Sequence, residues 1–225
     1  MISKKEYLQD PCRTASVPYW KAIQICMPED MKILHEDNFS FNMLEQYRDA
    51  RYFRLLHPLR SVSAVAVPDG YLLSRGTPEE FAAHIQQCYG NGMTPEQIRS
   101  YTKRNVYCEE LWLVLRSAQT GEIAATGIGE LDREIGEGIL EWIQVSENCR
   151  GRGLGSFLVR ELLWRMKDRA KFATVSGQCE NPANPEGMYR KCGFVGNDVW
   201  HILRKRTAGG KNFPAKTCRN EECLI

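Results

Sequence analysis

Arg150-Gly151-Arg152-Gly153-Leu154-Gly155-Ser156 stands between a strand-like run, Gly138 to Val145, and an amphipathic helical run that ends near Arg169. Glycines at alternate positions let successive backbone N–H groups turn toward one point, and a helix beginning just after them adds partial positive charge. The two arginines supply charge-assisted hydrogen bonds. These features together suit an anion, and the expected ligand contains phosphate. The spacing is neither the dinucleotide fingerprint nor the phosphate loop G-x-x-x-x-G-K-[ST].

Working outward, the helix after the glycines spans about 16 residues by its apolar period, with Val159, Leu162, Leu163 and Met166 on the buried stripe. Phe172 to Ser176 reads as the next strand. Asn184 and Pro185 then cap and start a short helix that Gly193 ends, and Val199 to Leu203 reads as the last strand. Upstream, Leu111 to Arg116, Ile123 to Leu131 and Gly138 to Val145 read as three successive strands joined by glycine turns. Thr77-Pro78-Glu79-Glu80 and Thr94-Pro95-Glu96-Gln97 are two helix starts of nearly the same wording. In each, Thr can cap, Pro takes the tolerant first position and Glu or Gln can bond back. Pro68-Asp69-Gly70 predicts a turn between strands at Ser61 to Val67 and Tyr71 to Arg75. Before it, Ile23 to Met27 and Met31 to Leu34 read as short strands, and Asn42 with Glu45 predicts a helix from Met43 to Leu56. From residue 205 the mix of Lys, Arg, Gly, Asn and Glu lacks periodicity, so 205–225 reads as a flexible basic tail.

The 225 residues, 43% hydrophobic, suit one domain with an extension. A net charge of +2 from 30 basic and 28 acidic residues argues against nucleic acid or an anionic membrane as partner. No apolar run approaches the roughly 18 residues a membrane span needs, and the polar start at Met1-Ile2-Ser3-Lys4 is unlike a secretory leader. The chain reads as cytoplasmic. Its nine cysteines are odd in number and scattered without a C-x-x-C pair, so neither a disulfide framework nor a metal site is expected. Cys149 and Cys179 have no readable histidine partner, so no acyl-enzyme is expected. His84 and His201 read as packing or surface residues.

Arg150-x-x-Gly153-x-Gly155 resembles the phosphate-binding motif of the GCN5-related N-acetyltransferases. The preceding Trp142-Ile143-Gln144-Val145 strand and the following Leu158-to-Met166 helix are similar to that family's cofactor-binding unit. Some forty residues on, Asn184 to Phe194, with Tyr189 and Gly193-Phe194, resembles the family's closing signature. The resemblance covers about residues 70 to 204. It implies an α/β GNAT fold, a mixed central sheet with flanking helices, in which the parallel strands ending near Val145 and Gly177 splay apart. Residues 1–69 are then an N-terminal extension that completes an acceptor pocket or a homodimer surface. The implied cofactor is acetyl-CoA, used as co-substrate. Ile143 and Val145 would hydrogen-bond its pantetheine arm, and Arg150, Gly151, Arg152, Gly153, Leu154, Gly155 and Ser156 would hold its pyrophosphate. Family members often carry Asn seven residues and Ala four residues before the tyrosine. Here Asn181 lies eight before and Pro185 holds the other place, which leaves Asn181 and Asn184 as alternative cofactor contacts.

Chemistry requires a neutral amine, yet an alkylamine of pKa about 10.4 is deprotonated at neutral pH only at a cost of roughly 4.6 kcal/mol. A carboxylate can reduce that cost. By period-2 alternation Glu141 shares a strand face with Ile143 and Val145, and the resemblance implies a carboxylate on this strand acting through water; the alternative is a solvated strand glutamate, with Glu137 in reserve. Tyr189 resembles the tyrosine that serves the departing thiolate and also contacts the cofactor, the alternative being a core aromatic. Glu130, Asp132, Glu134, Glu137 and Glu141 form an acidic stretch before a basic one, which suits a cationic acceptor or simply solvated faces. The expected activity is direct acetyl transfer to an amine of unknown identity. Its rival is a catalytically silent module that binds an acyl-CoA as sensor or scaffold.

Overall fold

The computed structural model describes residues 2–90 and 93–206. In chain order it contains α1 (Lys4–Gln9), α2 (Pro11–Thr14), α3 (Tyr19–Ala22), β1 (Met31–His35), β2 (Tyr47–His57), β3 (Tyr71–Arg75), α4 (Pro78–Tyr89) and α5 (Pro95–Tyr101). Then come β4 (Trp112–Ser117), β5 (Ile123–Asp132), β6 (Glu137–Val145), α6 (Leu154–Met166), β7 (Phe172–Gln178), α7 (Pro185–Lys191) and β8 (Val195–Lys205). The described residues form two compact units that do not follow chain order. One holds 57–90, 93–173 and 188–193, the other 2–56, 174–187 and 194–206.

The first of these carries the glycine turn at 150–156. Its strands run β6-β5-β4-β3, each antiparallel to the next. Both predicted helix starts form capping boxes: Thr77 Oγ1 accepts from the Glu80 N–H at 3.3 Å while the Glu80 carboxylate accepts from the Thr77 N–H at 2.9 Å. Thr94 and Gln97 repeat the pattern at 3.2 and 2.8 Å. These caps satisfy orphan donors at the head of α4 and α5, whose Phe81, Ile85, Ile98 and Tyr101 pack with Trp112, Val114 and Ile128. On the opposite face of β5 and β6, glycines admit α6. A Cβ at Gly129 would lie 2.8 Å from Met166 Cε, and one at Gly138 would lie 2.6 Å from Met166 Sδ. The helix backbone can approach because those side chains are missing.

In the other unit the strand order is β1-β8-β2-β7, so a strand from the N-terminal segment lies between two from the C-terminal part. Both β1 and β2 are antiparallel to β8. Arg54 on β2 is buried, donating to Tyr7 Oη at 2.8 Å and Ser176 Oγ at 3.0 Å.

The N-terminal third departs most from the sequence reading. Met43 to Leu56 is not a helix: the Asn42–Glu45 signal makes only a 3₁₀ turn at Phe41–Glu45, and the rest is β2. Tyr47, Tyr52 and Phe53 favour a pleated surface, and pairing with β8 buries Phe53 and Leu55, which outweighs the local cap. Ile23 to Met27 forms no strand, and three short helices precede β1, which does cover the predicted Met31 to Leu34. The Pro68–Gly70 turn forms, with the Tyr71 N–H on Pro68 O at 3.1 Å and Gly70 at φ 79°. Ser61 to Val67, however, is no strand, so there is no hairpin there and β3 pairs with β4 instead. The small, largely exposed side chains of 61–67 bury too little to hold a ladder. The helix after the glycines ends at Met166, shorter than its apolar period suggested. Of the predicted tail, 207–225 lie outside the described residues.

Candidate active site

The last turn of β6 builds one wall of the site. Ser146 N–H donates to Ala124 O at 2.9 Å, and the register pairs Gln144 with Thr126 and Val145 with Ala125. In an antiparallel ladder hydrogen-bonded and non-hydrogen-bonded pairs alternate, so 146 and 144 bond to β5 while 145 and 143 do not. The backbone N–H and C=O groups of Ile143 and Val145 therefore point away from β5.

Further back, β6 slips. Gly127 pairs with Ile143 and Gly129 with Leu140, so one extra residue of β6 is accommodated between Leu140 and Ile143. A Cβ on Gly127 would touch Ile143 Cδ1 and Leu162, and one on Gly138 would touch Met166, so Ile143 and Gly138 both face α6 although one is odd and the other even. Strict alternation thus fails at Glu141, and the parity argument that grouped it with Ile143 and Val145 does not carry through the bulge.

After β6 a 3₁₀ turn, Glu147–Cys149, leads into the glycines. Gly151 and Gly153 hold φ of 76° and 78°, which side chains rarely adopt, and a Cβ on either would meet nothing within 4 Å. Their lack of a side chain serves the backbone path and leaves open space beside it. Gly153 is the N-cap of α6 and makes no side-chain cap bond, so the N–H groups opening this 13-residue helix have no side-chain acceptor at the cap. Arg150 Nε reaches Val145 O at 3.4 Å, Arg152 Nη2 reaches Asn148 O at 3.2 Å, and both arginines stay exposed. N–H groups at a helix start with no side-chain cap, beside two guanidinium groups, suit an anion. Gly155, by contrast, is a packing glycine: a Cβ there would lie 2.8 Å from Met188 Sδ.

Glu141 is half-buried, and its charge acts on both Tyr189 and Arg104. The Tyr189 ring is buried; desolvation first, then the nearby Tyr89, Cys192 and Glu141, pushes its phenol well above the ordinary tyrosine range. Tyr89 and Trp142 stack edge to face at 6.0 Å, and Trp142 Nε1 donates to Tyr101 Oη at 3.5 Å. The acidic stretch is not a solvated face, because Glu130, Asp132 and Glu137 are buried. Arg104 Nη1 donates to Glu130 Oε1 at 2.6 Å. Asn181 and Asn184 belong to the other unit, where their Oδ1 atoms accept from Ala183 N–H at 2.9 Å and Gly187 N–H at 3.1 Å.

The sequence reading gave His84 no role beyond packing or surface. It is buried on α4, with Nδ1 2.8 Å from Thr126 Oγ1 and Nε2 2.9 Å from Ser146 Oγ. Thr126 Oγ1 accepts from Gln144 Nε2 at 2.5 Å, and Ser146 Oγ donates to Ile123 O at 2.8 Å. Those directions leave Thr126 free to donate to Nδ1 and require Nε2 to carry the proton. Burial pushes the imidazole pKa down to about 4, so the ring is neutral near pH 7. Polar Gln144 and Ser146 in an otherwise apolar stretch were the available signal.

A strand end whose Ile143 and Val145 backbone groups turn away from β5 thus runs into a helix start with no side-chain cap, flanked by two arginines. Residues 108–196 match the family model described as acetyltransferase (GNAT) domain. It is 34% identical over 98 residues to glucosamine 6-phosphate N-acetyltransferase 1 of Oryza sativa subsp. japonica, a match covering 40% of this chain and 56% of that protein. A GCN5-related N-acetyltransferase from Sphaerobacter thermophilus shares the fold with a TM-score of 0.62 at 20% identity, over 89% of this chain and 64% of that one. An acetyltransferase of the GNAT family from Colwellia psychrerythraea does so with a TM-score of 0.53 at 13% identity, over 77% and 64%. The chain thus spans less than two thirds of the length of these relatives.

Proposed function

We propose that this chain is a cytoplasmic acetyl-CoA-dependent N-acetyltransferase in which an acceptor amine attacks the thioester directly. The observation that carries the reading is the Ile143 and Val145 backbone edge, turned away from β5 and continuous with the open glycine turn at the head of α6. That edge offers donors and acceptors to an extended amide-bearing arm as a neighbouring strand would. The Val145 N–H polarises the thioester carbonyl, and Gly151 to Ser156 with Arg150 and Arg152 take the pyrophosphate. Glu141 draws the proton from the amine, and Tyr189 donates a hydrogen bond to the leaving sulfur. No helix among the described residues is long and apolar enough to cross a membrane, and the seven cysteines described are all free thiols, which suits a reducing compartment. The rice relative's name makes amino sugar phosphates one class of acceptor to include in a screen.

Thermal shift with acetyl-CoA tests the binding half of this reading. At about 100 times its dissociation constant a ligand stabilises by roughly 2.7 kcal/mol, so the melting temperature should rise. Gly153→Glu should erase most of the rise. Gly153→Gln carries the same positive-φ strain without the charge and should keep more of it. An undiminished shift in Gly153→Glu would move the cofactor site elsewhere.

A further inference from the structure

Val145, on which the proposed function centres, lies between two residues whose side chains are tied to α4 through one histidine. Ser146 bonds His84 Nε2 directly at 2.9 Å, and Gln144 bonds it through Thr126, at 2.5 and 2.8 Å. The backbone of this strand end is held sideways by β5, through the Ser146 N–H on Ala124 O. That bond leaves the strand free to tilt about its own axis, and such a tilt would swing the Val145 N–H. The bonds from α4 act on the face of the sheet and oppose the tilt. Ser146 Oγ also holds Ile123 O, so the brace reaches back to the start of β5.

On this ground, and resting on the reading of β6 as the cofactor's strand, we infer that His84 is a positioning residue that orients the Val145 backbone edge for acetyl-CoA. The ring touches neither substrate nor reacting atoms; it acts through Ser146 and Thr126. Its other neighbour is the Cys88 thiol, 3.6 Å from Nε2 and one helical turn along α4. The imidazole spans both hydroxyls from this backbone position. An asparagine amide can replace Nδ1 and keep the Thr126 bond, whereas a glutamine amide can replace Nε2 and keep the bond to Ser146, next to Val145.

The test compares acetyl-CoA dissociation constants by calorimetry for the parent, His84→Asn, His84→Gln and Ser146→Ala, with melting temperatures recorded alongside. His84→Asn and Ser146→Ala should weaken acetyl-CoA binding about tenfold, the scale of one lost neutral hydrogen bond. His84→Gln should recover most of that loss. The KM for the acceptor amine should move less than twofold in all three. A purely structural histidine would lower melting temperatures while leaving the acetyl-CoA affinity of the folded protein at the parent value, and that result overturns the inference. Ser146→Ala removes a single oxygen, so it decides the matter if the histidine variants do not fold. If the parent binds no acetyl-CoA, the cofactor reading fails and this inference falls with it; tight parent binding with unchanged variants rejects the inference alone.

Discussion

Glu141→Gln is expected to lower turnover about 100-fold near pH 7 and only about a few-fold near pH 10, within the range for loss of a general base. The pH dependence follows from the acceptor. An amine of pKa about 10.4 is almost wholly protonated at neutral pH and needs a group to take its proton, whereas near pH 10 much of it already has a free lone pair. Glu141 is half-buried and so accessible to an entering amine, while Glu137, the other carboxylate at this strand, is fully buried. Arg104 donates to Glu130 at 2.6 Å and also feels the Glu141 charge. A steady-state pH profile of both forms checks this. An equal loss at every pH would make Glu141 a structural or electrostatic residue, and no loss would leave the proton to bulk water.

Tyr189→Phe is expected to lower kcat about 10- to 100-fold while shifting acetyl-CoA affinity by less than about 1.5 kcal/mol, the scale of one neutral hydrogen bond. The ring is buried and packs in place without its hydroxyl, so the substitution is close to isosteric. Burial raises the phenol's pKa above its ordinary value, and the phenol is already a weaker acid than a thiol of pKa about 8.5. Full proton transfer to the sulfur would therefore be uphill, and in the proposed reaction the hydroxyl would act mainly by hydrogen bonding to the developing thiolate. The raised pKa also keeps Tyr189 protonated throughout the assay range, so no alkaline limb should belong to it. Single-turnover rates of both forms at saturating acetyl-CoA measure the effect, and equal rates would return Tyr189 to the core.

What the sequence made legible follows the range of the forces involved. The two capping boxes, the β4–β5–β6 meander and the glycine turn are specified by residues within a few positions of one another, and the structure has them close to where they were read. β2 could not be read in the same way. Its local signal, Asn42 with Glu45, is genuine but short, and its partner β8 lies about 150 residues further on. The face assignment of Glu141 failed for a related reason: the extra residue between Leu140 and Ile143 is visible only in the register against β5. His84 was given no role beyond packing or surface because two of its partners, Thr126 in β5 and Ser146 just after β6, lie some forty and sixty residues away, and only Cys88 is on its own helix. Gly151 and Gly153, by contrast, were read as glycines of a turn, and both hold positive φ.

Release of coenzyme A from acetyl-CoA, followed with a panel of amino sugars, amino sugar phosphates, polyamines, amino acids and peptide amines, tests the central claim most directly, with the acetylated product confirmed by mass. At least one amine should release coenzyme A at a rate that saturates with both substrates and falls in Glu141→Gln and Tyr189→Phe, with a product heavier by one acetyl group. Tight acetyl-CoA binding without acetyl transfer to any amine would contradict it and leave the domain as an acyl-CoA-binding module.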